Sequence, residues 1–174
     1  MKKISRNYYQ QILEELYKAG VEFIIGGGVA AALHGVERFT VDIDLSLHMT
    51  KSNIKKFIEV MKQTGLRPRV PVNPEVLLDP GERARIVEEK NAVVFTFIDP
   101  DDLFMHVDIF LTENLSYGRL LNDTETLKIG DYSFKVLTKG KLVELKKSIN
   151  PLRDKDYGDI KKLTELINAE KNKK

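Results

Sequence analysis

The chain has 174 residues, 42% hydrophobic and 31% charged, with a formal net charge of +2, which is enough apolar mass for one compact core and too much for a disordered chain. With no cysteine and only His34, His48 and His106 as histidines, disulfides, thiolate nucleophiles and cysteine-bound zinc are excluded, and any metal is held by oxygen ligands. No apolar run approaches the ~20 residues that span a bilayer, and the opening MKKISRNYYQQ lacks the apolar stretch of a secretion signal, so a cytoplasmic location and no membrane partner are expected.

Residues 6–19 set Tyr9, Ile12, Leu13, Leu16 and Tyr17 on one helical face ahead of Gly20. Residues 21–25 (VEFII) predict a short buried strand, Gly26 to Gly28 a turn, and residues 29–35 a short helix closed by Gly35. Residues 41–47 alternate strictly, with Val41, Ile43, Leu45 and Leu47 on one face and Asp42, Asp44 and Ser46 on the other. That is a half-buried strand with an acidic face. Thr50 and Ser52 are capping candidates for a helix over 53–64 carrying Ile54, Phe57, Ile58 and Met61. Four prolines from Pro68 to Pro80 mark a flap or insertion leading to a charged helix at 81–90.

Strands follow at 92–98 and 105–111, the second alternating Val107, Ile109 and Leu111 with His106, Asp108 and Phe110. Residues 125–136 predict a hairpin turning at 129–131, and helices over 139–149 and 154–168 finish the chain on either side of Asn150-Pro151. Residues 135–174 hold 12 of the 28 Lys and Arg but 6 of the 26 Asp and Glu, a local +6 against −4 for the remainder. Polyanions such as RNA or a triphosphate are drawn to that end. The expected fold is α/β, a mixed, partly antiparallel sheet flanked by helices. Residues 1–136 form the core, and 137–174 a helical extension packed on the same domain.

Asp42 and Asp44, two apart on a strand, project from one face about 7 Å apart, from the ~3.4 Å rise per residue. Asp108 has the same context, and if its strand lies beside theirs the three carboxylates form one cluster. Such a cluster repels itself unless a divalent cation neutralises it, which implies Mg²⁺ or Mn²⁺. Alone, a DxD also suits a solvated sheet edge, and three glycines a plain tight turn. Together, a glycine turn opening a helix and a DxD some fourteen residues on suggest a phosphate cradle beside a metal, and hence a nucleoside triphosphate. Leu142, Leu145, Lys146 and Ile149 share a helical stripe, so Lys146 is inward and needs an anion. Asp156 can meet it, with Lys155 and Asp159 pairing along the last helix. Arg38 suits a phosphate or carboxylate clamp. His106 reads as a strand-surface residue, and His34 packs or caps.

The segment GGGVAAALHGVERFTVDIDLSL resembles the signature of the nucleotidyltransferase superfamily shared with polymerase beta and the CCA-adding enzymes, hG[GS] followed by Dh[DE]h. It is similar to the small bacterial and archaeal branch at Gly27, Gly28, Ala30, His34, Gly35, Arg38, Thr40, Asp42, Ile43, Asp44 and Leu45. Asp108 resembles the third metal-binding aspartate, and Lys146, Arg153, Lys155, Asp156 and Asp159 resemble that branch's C-terminal run. The resemblance implies transfer of a nucleotide from an NTP such as ATP to an acceptor hydroxyl with release of pyrophosphate. Asp42, Asp44 and Asp108 would be the catalytic metal ligands; Gly27, Gly28, Arg38, Lys146 and Asp156 would bind the nucleotide. The branch includes RNA-modifying toxins, drug-resistance adenylyltransferases and partner-regulated AMP-adding enzymes. RNA, a protein or a small molecule therefore stands as acceptor, and an antitoxin-like protein as partner, with the basic C-terminal segment favouring RNA. The alternative is a catalytically silent nucleotide-binding or regulatory module, which would bind NTP without releasing pyrophosphate.

Overall fold

The computed structural model describes residues 8–40 and 42–173; the first two residues expected in the opening helix, and Val41, lie outside them. In chain order the elements are α1 (Tyr8–Lys18), β1 (Phe23–Gly26), α2 (Gly27–Leu33), β2 (Asp42–Leu47), α3 (Lys51–Gln63), β3 (Arg67–Pro68) and α4 (Pro80–Lys90). They continue with β4 (Val94–Ile98), β5 (His106–Phe110), α5 (Tyr117–Leu120), β6 (Thr124–Ile129), β7 (Tyr132–Leu137), α6 (Lys139–Lys147) and α7 (Asp154–Lys171). Among the described residues no helix is long and apolar enough to cross a membrane.

The strands form one mixed sheet in the order β3-β4-β5-β2-β1-β7-β6. β2 pairs antiparallel with β1 and parallel with β5, so the chain between β2 and β5 must cross over, and α3 is part of that crossover. On one sheet face Ile43, Leu45, Val107 and Ile109 are fully buried, and Phe57 of α3 meets Phe97 of β4 edge-on with centroids 5.4 Å apart. Burying each large apolar side chain is worth ~1.5–3 kcal/mol. A one-residue slip of β2 would trade Ile43 and Leu45 for Asp42 and Asp44 in that core. The apolar face therefore fixes the acids on the opposite one.

The α/β class, the mixed sheet, the closing helices and the charged helix after the prolines agree with the sequence reading, while two local features differ. No separate glycine turn exists: β1 includes Gly26, and α2 begins at Gly27, whose left-handed φ of +59° redirects the chain within one residue. Ser46 is buried although it shares the acidic face, because residues 112–123, which carry no readable period, coil through two short 3-10 turns and α5. Its hydroxyl donates to the Leu115 carbonyl at 2.7 Å. The proline excursion is built as well, with a 3-10 turn over Pro74–Leu78 that buries Leu77, followed by α4, which buries nothing.

Candidate active site

Parallel pairing of β2 with β5 sets Asp44 opposite Asp108 and Asp42 opposite His106. The adjacency on which a three-carboxylate cluster depended is present. All three aspartates line one cavity of about 580 Å³, whose far wall is made by α6 and α7. Burial, then the neighbouring Asp108 and Asp42 carboxylates, push the Asp44 pKa up to about 6, against the Gly28 amide and Lys146, which favour its charged form. Burial also raises Asp108, with the Thr96 hydroxyl opposing and Asp42 reinforcing the shift.

Each carboxylate has its own protein partner. His106 Nδ1 lies 3.2 Å from Asp42 Oδ1, Thr96 Oγ1 donates to Asp108 Oδ1 at 2.6 Å, and the Gly28 N–H donates to Asp44. The acids thus stand in register but turn toward separate partners, and among the described residues no group of three His, Asp or Glu side chains forms a ready metal cage. Gly27 allows this packing: a Cβ there would fall 1.8 Å from Asp44 Oδ2. At Gly28 a Cβ would come within 2.7 Å of Thr40 Oγ1 and 3.0 Å of Arg38 Cζ. The glycine pair makes room for protein side chains at the head of α2.

Across the cavity, Lys146 is 7% exposed whereas Lys147 is exposed, as the helical phase predicts. Lys146 Nζ lies 2.8 Å from Asp159 Oδ2 and 3.6 Å from Asp156 Oδ1. Arg153 grips Asp156 with Nε and Nη2, at 2.6 and 3.1 Å. Burial works against the charged form of Asp156, yet Arg153 and Lys146 hold its carboxyl below the usual range. Asp159 does not pair with Lys155 along the helix: it reaches across to Lys146 and to Arg38 Nη1, because both face inward while Lys155 is exposed at the cavity. Arg38 thereby clamps a carboxylate, and its Nε is buried without a hydrogen-bond partner. His34 both packs and caps, with a ring nitrogen 2.7 Å from the Leu137 carbonyl.

Sequence reasoning missed the contacts of His106 and Thr96 with the acids. Thr96 left a signal, since it is the single polar side chain in AVVFTFI and its register partner is Asp108. His106 left the same kind of signal through its face shared with Asp108. The double role of Asp159, pairing with both Lys146 and Arg38, left none, because it depends on helix packing.

No family model matches the sequence, and no curated protein matches it by sequence. Solved structures do match in fold. A lincomycin-bound lincosamide antibiotic adenylyltransferase, LnuA, superposes with a TM-score of 0.63 at 16% identity over 94% of this chain and 98% of that one. ANT(2")-Ia in complex with adenylyl-2"-tobramycin gives 0.60 at 15% identity over 94% and 89%. An antigenic nucleotidyltransferase-like protein from Paracoccidioides brasiliensis gives 0.51 at 16% over 91% and 73%. The fold of this chain is that of the nucleotidyltransferases.

Proposed function

We propose that the protein transfers a nucleoside monophosphate from a nucleoside triphosphate to an acceptor hydroxyl and releases pyrophosphate. The observation that carries this reading is the meeting of Asp42, Asp44 and Asp108 on one cavity wall, facing Lys146 and Arg153 on the other. Fold neighbours described as adenylyl-transferring support it and favour ATP as donor.

The three aspartates suit Mg²⁺ or Mn²⁺, since they are hard oxygen donors, and burial together with mutual repulsion already raises Asp44 and Asp108. Such an ion, when bound, neutralises the carboxylates and polarises phosphate oxygens. The chain's own groups hold the nucleotide. Arg38 Nε and Thr112 Oγ1 are buried without partners on residues that line the cavity, so each has a hydrogen bond to offer. Lys146 and Arg153 present positive charge toward the triphosphate without reorganising, because Asp156 and Asp159 already fix them. Asp156, fully enclosed and gripped from two sides, acts by positioning these cations. In this reading the extension 137–174 completes the site of the core 1–136. The acceptor oxygen bonds to the α-phosphorus as the bond to the bridging oxygen of the β-phosphate breaks.

The test is calorimetric titration with ATP, GTP, CTP and UTP in Mg²⁺, followed by a pyrophosphate-release assay. Micromolar to millimolar binding of one triphosphate and acceptor-dependent release are expected. A folded protein that binds no triphosphate under these conditions overturns the reading.

A further inference from the structure

The nucleotide reading gives residues 69–92 no task, yet they are built around something. A second cavity, of about 380 Å³, opens beside β4 and is lined by α4. Val70, Val72, Val76, Ile86 and Phe95 make its walls apolar. α4 contributes no buried residue to the core, and Ile86 on it lines this cavity. Two residues connect the cavity with the carboxylates. Val94 lines both cavities, and Thr96 lines the second while its hydroxyl donates to Asp108 at 2.6 Å. A molecule seated here and extending past Thr96 arrives at Asp108.

The charges at the rim are selective. Arg85 is paired with Glu82 at 2.6 Å. The arginine ion pairs among the described residues belong to Arg38, Arg85, Arg119 and Arg153, so Arg69 has none, although its backbone N–H anchors it to the Thr96 carbonyl at 2.9 Å. An exposed arginine at the rim of an apolar cavity that makes no ion pair favours an anionic group on the ligand.

We infer that this second cavity is the acceptor subsite and that it takes a small, mostly apolar molecule carrying one anionic group, which pairs with Arg69, and the hydroxyl that receives the nucleotide. The inference rests on the transfer reading above. The volume lies within the ~300–1,000 Å³ of small-molecule sites, whereas an RNA would need a basic groove, and here Arg69, Arg85 and Lys90 alternate with Glu82 and Glu89. In the step, the acceptor O–H oxygen bonds to the α-phosphorus, pyrophosphate departs with the bridging oxygen and the hydroxyl proton passes to water.

The probe is 1-anilinonaphthalene-8-sulfonate, an apolar body with one sulfonate, titrated by fluorescence into the full chain. One site is expected, weakened at least tenfold by Ile86→Glu and several-fold by Arg69→Ala, and unchanged by Asp44→Asn. Ala92→Leu, which narrows the cavity without adding charge, should weaken it as well and guards against a misfolded Ile86→Glu. Both cavity variants should keep wild-type affinity for a non-hydrolysable triphosphate in Mg²⁺. In the reaction arm, a dialysable, RNA-free cell extract should support pyrophosphate release by the wild type and not by Ile86→Glu. Equal probe binding in wild type and both cavity variants, or RNA-supported release that Ile86→Glu leaves intact, overturns the inference. Loss of triphosphate binding by the wild type itself would instead strike the transfer reading.

Discussion

Two groups of aspartates line the same cavity and are treated in opposite ways. On β2 and β5, Asp44 and Asp108 are raised, chiefly by burial and then by neighbouring acids. On α7, Asp156 is fully buried, where Asp44 and Asp108 are half-buried, yet it is lowered, because Arg153 and Lys146 meet its carboxylate. Burial is common to both, so the difference lies in the countercharge. The strand cluster has unspent negative charge and is suited to a ligand that brings positive charge. The helix cluster is neutralised within the fold and is suited to holding two cations still. One wall is suited to binding and the other to positioning.

The largest effect expected to break this contrast comes from Asp44→Asn, which should abolish Mg²⁺-dependent triphosphate binding and transfer while raising the metal-free melting temperature, since it removes one of three repelling charges. Calorimetry and thermal unfolding read the two changes separately, and a fully active variant would remove Asp44 from the site. Next in size is Asp159→Ala, which strips Arg38 of its carboxylate and leaves Lys146 with Asp156 alone. Breaking a buried ionic cluster costs ~3–5 kcal/mol, so here the melting temperature should fall, opposite in sign to the strand variant. A stability unchanged by Asp159→Ala would mean that the helix cluster is not self-compensating.

Gly28→Val comes third. Its branched side chain collides with Thr40 and Arg38, and triphosphate affinity should drop tenfold or more, ~1.4 kcal/mol or above. An unchanged Kd in a folded variant would separate the glycine pair from the nucleotide.

How much of this was legible in the sequence follows the range of each interaction. The alternation of VDIDLSL and of MHVDIFL fixed which faces carry the acids, because a period of two is local. Their juxtaposition needed strand order, which the pattern leaves open. The stripe of Leu142, Lys146 and Ile149 showed that Lys146 is inward, and its burial agrees, but choosing between Asp156 and Asp159 depends on how α6 and α7 cross. The glycines announced a constriction at the right place, while the identity of the nearest protein atoms, those of Asp44, Thr40 and Arg38, depends on the fold. The apolar lining of the second cavity was unreadable, since Val70, Val76, Ile86 and Ala92 follow no single period.

Smaller effects sharpen the same comparison. Asp44 has its folded pKa at about 6, above its usual 3.8. Its contribution to stability is complete below pH 3.8 and is lost as pH rises through 6. The metal-free protein should therefore lose stability between pH 3.8 and about pH 6 through this group, and Asp44→Asn should flatten that slope, whereas an unaltered slope assigns it to other groups. Asp156 acts in the opposite direction: lowered in the fold, it stabilises above its usual range and loses that contribution only as pH falls through its depressed value. The smallest effect belongs to Lys147→Ala. Exposed beside Lys146, it should change triphosphate affinity weakly and only at low salt, while Lys146→Ala weakens it strongly at every ionic strength. Equal, salt-sensitive losses would indicate a diffuse basic surface.

The most direct test is titration of a non-hydrolysable ATP analogue into the wild type and into Asp44→Asn, each with and without Mg²⁺. The unneutralised strand cluster requires that Mg²⁺ strengthen wild-type binding at least tenfold and leave Asp44→Asn little changed. Binding of equal strength in all four titrations would contradict the claim that these aspartates hold a cation for the triphosphate.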